Sequence, residues 1–288
     1  MLEDSSNIFS IMPMAQRYLL TPGETYEGKV MVVNPVDAKA DFAYTAEVNP
    51  YSVAGAEYSA DLATMKNQSE IVKWITIENP TGVVKPNEVA EINYKITVPE
   101  NAAGGGQYAA IVIGSDKDVQ ASGSVTVNNV FEIASVIYAQ VEGDITHDGE
   151  IMGSSTPGFV TQGPIVTTTK LSNRGNSHED ATIVTRMTNF FTGEVLLPSE
   201  DNNGNYSEVI MPDTEREIKQ EIGNLPVIGL VNVEKTIYYM GTTQADNNVI
   251  VVCPIWFMVL VLVLISAIVA IIVRIVIKHR HKKAGIVV

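Results

Sequence analysis

The sequence predicts an all-β chain: two Ig-like β-sandwich domains followed by a single C-terminal transmembrane α-helix. Three observations carry this. Up to residue 248, short alternating or β-branched runs are broken by Gly, Pro, Asn and Asp, with turn signals about every 8–12 residues, as antiparallel strands require. No amphipathic helical period stands out in that stretch. Beyond it, Val249 to Val273 form 25 residues without a charge, against about 20 needed to cross a bilayer's hydrocarbon.

The elements follow in order. An N-terminal segment, residues 1–9, precedes a first sandwich over 10–140. Its strands are expected at Tyr26–Asn34, Asp41–Asn49, Val72–Asn79, Val89–Pro99 and Gly106–Ser115. The run Ala121–Gly143 supplies its last strands and the crossing into the next unit. A second sandwich over 141–246 restarts at Gly163–Asn173. It continues through Asp180–Asn189, Glu194–Pro198, Glu215–Ile222 and Val231–Gly241. The stretch "NNVIVVC" reads as a short connection to the membrane helix, 249–277, and a basic tail, 278–288.

An internal repeat relates the two halves. "LTPGETYEGKVMVVN", "VVKPNEVAEINYKITV" and "VIMPDTEREIKQEI" share one plan: an apolar approach, a Pro-plus-Gly/Asn/Asp turn, an acid or Thr, then an alternating strand. Pro sets φ at the second turn position, and the small polar residue after it closes the turn. "VMVVN" and "TKLSNRGN" add a second correspondence, a strand that ends in Asn where the chain bends over.

Charge predicts orientation. The last 40 residues hold 5 of the 19 Lys+Arg and none of the 33 Asp+Glu. The preceding 248 therefore carry 14 basic against 33 acidic groups, a net of −19. Arg274, Lys278, Arg280, Lys282 and Lys283 flank the span on one side and Trp256 anchors the other, which expects a cytoplasmic tail and extracellular N-terminal domains. Pro254 suits the first turn of the helix. A bulk so acidic repels phosphates and argues against nucleic acid as a partner. "MLEDSSNIFSIMPM" has no basic-then-apolar leader, so the expectation is a leader removed or a start mis-assigned. The alternative is a tail-anchored protein with its bulk in the cytosol. The one cysteine, Cys253, lies at the membrane boundary, so the domains form no internal disulfide and must rest on their cores.

On these residues the chain resembles the WxL-interacting cell-surface proteins of Gram-positive bacteria. The stretches "LTPGETYEGKVMVVN" and "KWITIENPTGVVKPNEVAEINYKITVPENAAGGGQYAAIVIG" are similar to the family's N-terminal domain. "LSNRGNSHEDATIVTRMTNFFTGEVLLP" and "VIMPDTEREIKQEI" are similar to its membrane-proximal Ig-like module, and "PIWF" leads into the helix. The resemblance implies a membrane-anchored surface protein whose first domain contacts peptidoglycan and whose other surfaces dock surface proteins. It transfers no binding residues.

Candidate chemistry is sparse. His147 and His178 are the only histidines before the span, neither beside a nucleophile elbow. His178, in "NRGNSHED", reads as a solvated turn residue. Asp144, Thr146 and Asp148 fall at positions 1, 3 and 5 of a calcium-loop spacing with Gly149 at 6, but Ser155 stands where a bidentate carboxylate closes the shell. The reading there is a β-turn on "HDGE", and no metal ligand or cofactor is assigned. "EDNNGNYSE" (Glu200–Glu208) reads as a solvated loop, and Gly104–Gly106 as a flexible turn. Trp74 reads as strand core, Tyr108 as a packing tyrosine, and His279 and His281 as part of a basic flank. Asn67 and Asn205 begin glycosylation triplets that matter only in a eukaryotic secretory setting. The function expected is non-enzymatic: a single-pass bacterial cell-surface protein that binds or scaffolds peptidoglycan or a surface protein. The alternatives are a tail-anchored cytosolic β-sandwich adaptor and a carbohydrate-active enzyme.

Overall fold

The computed structural model describes residues 9–55, 59–60, 69–115, 132–196, 205–223 and 225–284. Within these, the first half holds β1 (Ser10–Met12), β2 (Ala15–Leu20), β3 (Thr25–Val33), β4 (Phe42–Pro50), β5 (Val53–Ala54), β6 (Ser59–Ala60), α1 (Ile71–Trp74), β7 (Ile75–Ile77), β8 (Thr81–Val84), β9 (Val89–Thr97), β10 (Gly105–Ser115) and β11 (Glu132–Val141). The second holds β12 (Gly149–Ser155), β13 (Phe159–Val160), β14 (Ile165–Asn173), β15 (Glu179–Asn189), β16 (Asn205–Ile210), β17 (Thr214–Ile222), β18 (Gly229–Tyr239), β19 (Thr242–Val252) and α2 (Ile255–Ala284). The chain is all-β with one C-terminal apolar helix.

Two compact units divide it. The first takes in the chain up to Glu150 together with Leu171–Glu179 and Val209–Arg216; the second comprises Ile151–Lys170, Asp180–Glu208 and Glu217–Val288.

In the first unit, sheets β1-β3-β9-β7 and β2-β11-β10-β4-β8 close over one core of Leu20, Val30, Val32, Ile92, Tyr94, Ile96, Ile111, Ile113, Ile137 and Val141. The alternation decides which side chains enter it. On β9, Ile92, Tyr94 and Ile96 are buried, while Glu91, Asn93 and Lys95 face out. The outward row is laced by Lys29–Glu91 at 2.8 Å and Lys95–Glu78 at 3.0 Å. Each large apolar side chain taken from water stabilises the fold by about 1.5–3 kcal/mol. Gly28 lies opposite Tyr94 in the β3–β9 register. A Cβ there would collide with the Tyr94 ring and the Tyr18 hydroxyl, whose oxygens share a hydrogen bond of 2.7 Å.

In the second unit, a smaller core gathers Ile165, Met187, Ile222, Val231, Val233, Ile250 and Val252. Its strands fall in the orders β12-β14-β17 and β13-β19-β18-β15-β16. Strand for strand these repeat β1-β3-β9 and β2-β11-β10-β4-β8. Even the short strand parallel to the last one recurs: β2 runs parallel to β11, and β13 runs parallel to β19. The Pro turns match too, with Asn87 at φ 65 after Pro86 and Asp213 at φ 52 after Pro212.

Several expectations are corrected. Val72–Trp74 belong to the single helical turn α1, because Ile71 and Trp74 both reach the core from it; the strand starts only at Ile75. Of the strand expected at Glu194–Pro198, Val195 forms an isolated bridge to Thr188, and Leu197 and Pro198 lie outside the described residues. Strands β1, β2, β5, β6, β8, β12, β13, β16 and β19 fall outside the expected runs. The apolar run was expected to be helical from Val249, but Val249–Val252 complete β19, where β18 pairs them as far as Gly229–Val252. The helix begins at Ile255. Residues 121–131, 200–204 and 285–288, with Asn67 and most of the N-terminal segment, lie outside the described residues.

Helix α2 is long and apolar enough over Ile255–His279, 25 residues, to cross a membrane. At 1.5 Å per residue that is about 37 Å. Its side chains stand exposed along this length, and the Ser266 hydroxyl donates to the Leu262 carbonyl at 2.8 Å, so its one hydroxyl is satisfied within the helix.

Candidate functional site

The site candidate lies in the first unit, where β10 begins. Gly105, at φ +124, brings its backbone against the Asn176 carbonyl, and a Cβ there would stand 2.9 Å from that oxygen. The Gly106 N–H donates to the same carbonyl at 2.8 Å. The Asn176 side chain completes the clasp: its amide donates to the Asp144 carbonyl, and its oxygen accepts from the Thr146 N–H, both at 2.8 Å. Gly104–Gly106 is therefore a fixed close approach of backbones, not the flexible turn expected. The absence of side chains is what permits it.

This start sets an aromatic group. Tyr108 and Tyr138 face each other across β10 and β11, with ring centroids 6.1 Å apart and edge-on. Tyr51 meets Tyr138 edge-on at 5.9 Å. His178 lies 5.6 Å from both Tyr108 and Tyr138, its Nδ1 3.3 Å from the Tyr108 hydroxyl. His178 is thus half-buried against two rings rather than solvated. Edge-to-face rings and a satisfied hydroxyl make this a stiff wall.

Beside the wall lies a cleft of about 500 Å³, lined among others by Tyr51, Ser69, Glu70, Gln107, Asp213 and Thr214. Ser69 Oγ accepts from the Tyr108 N–H at 3.1 Å and donates to Gln107 Oε1 at 3.2 Å. Glu70 pairs with Lys73 at 3.0 Å on the surface. An aromatic edge, amides, hydroxyls and two carboxylates together suit a polar ligand with hydroxyls or amines. The tyrosine body supplies apolar contact.

The residues named for a calcium loop serve other ends. Asp144 offers its carbonyl to Asn176, Thr146 offers its N–H, and the Asp148 carboxylate holds Arg174 through Nε at 3.3 Å and Nη2 at 2.9 Å. Glu150 takes the same guanidinium at 2.7 Å. The hydrogen bonds of Asp148 and then Glu150 hold Arg174 still more firmly protonated than usual. Ser155 sits in β12, its carbonyl facing Lys235 Nζ at 3.4 Å. His147 meets Glu179 at 2.5 Å. Among the described residues no group of three or more His, Cys, Asp or Glu is placed to hold a metal. Sequence reasoning missed Tyr51, Ser69, Gln107, Tyr138 and Asn176. The run of three glycines was the available signal of a tight approach.

The fold and site define a class: an all-β chain built of sandwich sheets, ending in one helix able to cross a membrane. No protein-family model matches the sequence, and no curated protein matches it. Solved structures are similar at a distance. The E. coli chaperone DraB is 13% identical, covers 84% of this chain and 97% of its own, and has a TM-score of 0.39. A chain of the Salmonella enterica SafA pilin–SafB chaperone complex is 10% identical, with 86% and 99% covered and a TM-score of 0.39. A PapD-like domain of human CEP192 is 13% identical, with 50% and 92% covered and a TM-score of 0.33. All three scores lie under 0.5, too low to assign a function.

Proposed function

We propose that this chain is a non-enzymatic, single-pass surface protein of a bacterial envelope, built of two Ig-like β-sandwiches displayed outside the cell. It binds or scaffolds peptidoglycan or a neighbouring surface protein. The observation that carries the reading is the junction of β19 with an exposed apolar helix whose far end alone is basic. Lysines and arginines next to a span stay in the cytoplasm. The resemblance to WxL-interacting surface proteins agrees with it.

The cleft beside Tyr51 is the proposed binding position. Glu70 and Asp213 on its rim suit a polymer that carries amines as well as hydroxyls, as peptidoglycan stem peptides and sugars do. The non-enzymatic reading gives the two histidines structural contacts, His147 with Glu179 and His178 with Tyr108.

Protease shaving of intact cells tests the topology. Loss of the sandwiches with retention of the tail supports it; full protection favours a tail-anchored cytosolic adaptor. Co-sedimentation of the full chain with purified peptidoglycan tests the ligand, and no sedimentation above a Tyr51→Ala control counts against it.

A further inference from the structure

Strand register gathers three loops of the second unit at one end of its five-stranded sheet. Strand β13 runs parallel to β19 with Phe159 opposite Val251. Strand β18 starts where β19 stops, with Gly229 opposite Val252. Strand β15 finishes there too, Asn189 opposite Val231. The described parts of three loops, 161–164, 189–196 and 223 with 225–228, therefore sit at the end from which Cys253 and Pro254 lead into α2. Three Cα steps separate Val252 from Ile255, a reach of at most about 10 Å.

These loops are unlike the rest of the chain. Of their seventeen described residues only Glu194 is charged, in a protein 18% charged; the β15–β16 connection goes on through Glu200 and Asp201, outside the described residues. They expose large apolar side chains: Phe191 is 76% and Val227 70% accessible, with Phe190 and Ile228 also exposed. The exposure is built in. Asn189 Oδ1 accepts from the N–H groups of Phe191 at 3.0 Å and Thr192 at 3.2 Å. The Gly193 N–H donates to the Asn189 carbonyl at 2.9 Å, and the Phe190 N–H to the Leu230 carbonyl at 3.0 Å. The turn holds Phe190 and Phe191 edge-on, 5.4 Å apart, away from the core. At the other end of β15 the segment 173–180 holds instead Arg174, His178, Glu179 and Asp180, while the turn joining β18 to β19 there is the uncharged Met240–Gly241.

We propose that the loops carrying Phe190–Phe191 and Val227–Ile228 dip into the lipid headgroup region, so that the second unit rests on the bilayer by this end. The inference rests on the reading of α2 as a membrane span. The same junction argues for lipid as the occupant. Trp256 and Phe257, on the first turn of α2 and edge-on at 5.8 Å, are residues of the membrane–water boundary. The loop tips lie within a few residues of that depth. Aromatic and aliphatic side chains without charges are what this boundary accommodates, and uncovered apolar patches mark such surfaces. A sandwich footed this way is held at a set angle instead of swinging on its two-residue junction.

The test uses the full chain in a Cys253→Ser background, reconstituted in vesicles of phosphatidylcholine and phosphatidylglycerol. An environment-sensitive fluorophore is attached in turn to Phe191→Cys, Val227→Cys, Ile265→Cys and Thr242→Cys. Thr242 lies at the other end of the eleven-residue β19, about 35 Å away at 3.3 Å per residue. The expected result is a blue shift and quenching by headgroup-proximal spin-labelled lipid at 191 and 227, quenching by deep spin label at 265, and neither at 242. Quenching at 265 without 191 and 227 overturns the footing while leaving the span intact. Such a result would assign these loops to water or a protein partner. Quenching at only one of the two loops overturns the two-loop arrangement. No quenching at 265 removes the span and the footing together.

Discussion

Asn34 and Asn173 make the same pair of bonds in the two repeats. Asn34 Nδ2 donates to the Ala40 carbonyl at 3.0 Å and the Val84 carbonyl at 2.9 Å. Asn173 Nδ2 donates to the Ser177 carbonyl at 2.8 Å and the Ile210 carbonyl at 3.0 Å. Both asparagines are buried. Each ties the end of one strand to the strand that leads into the Pro turn. Asn34→Ala and Asn173→Ala should each lower stability by about 1–3 kcal/mol, because a buried carbonyl, Val84, loses its donor in the first and two, Ser177 and Ile210, lose it in the second, which places Asn173→Ala at the larger end. Chemical denaturation of the full chain in detergent measures it, and a change within about 0.5 kcal/mol, as for an ordinary surface residue, would refute it.

Gly28 tests the fit of the first core. Gly28→Ala places a methyl where the Tyr94 ring and Tyr18 hydroxyl already stand, and overpacking of this kind costs about 1–3 kcal/mol. Pairing it with Tyr94→Phe should recover part of the loss, since the hydroxyl is one of the colliding groups. Equal stability of the single and double variants would show that the crowding lies elsewhere.

Lys235 gives a pH dependence. Its side chain is fully buried on β18, with Nζ donating to the Thr168 carbonyl at 3.0 Å. Burial lowers its pKa, and the charge of Asp246 opposes this only in part. The folded value thus lies below the ordinary 10.5, and between the two the unfolded chain binds more protons. Stability should therefore rise with pH across that alkaline window. Lys235→Met should abolish this component, read as the difference between wild type and variant in stability against pH. A difference that falls with rising pH would contradict the sign.

Tyr51 tests the cleft. Tyr51→Ala removes its aromatic edge together with its contact on Tyr138, so peptidoglycan binding should weaken by about tenfold, or 1.4 kcal/mol, with a stability loss no larger than the about 0.5–1.5 kcal/mol of one aromatic pair. Loss of binding with a stability loss well beyond that pair would point to a folding defect instead.

The amino-acid pattern alone determined the broad outline. Period-two burial placed Ile92, Tyr94 and Ile96 inside, and the charge-free run from Val249 announced a helix able to span a membrane. The Pro-Asn and Pro-Asp turns announced a repeat that the strand orders then reproduce. These features are local: a side chain's face or a turn's φ depends on a few neighbours. The aromatic wall was not legible in the same way. Tyr108 and His178 are separated by 70 positions, and nothing near either residue encodes their meeting. Val249–Val252 is the sharpest case, since an apolar β-branched run fits a helix or a strand equally by composition. Tertiary structure decided it, because β18 offers a row of unpaired backbone groups as far as Gly229, and leaving them buried without partners costs more than shortening the helix.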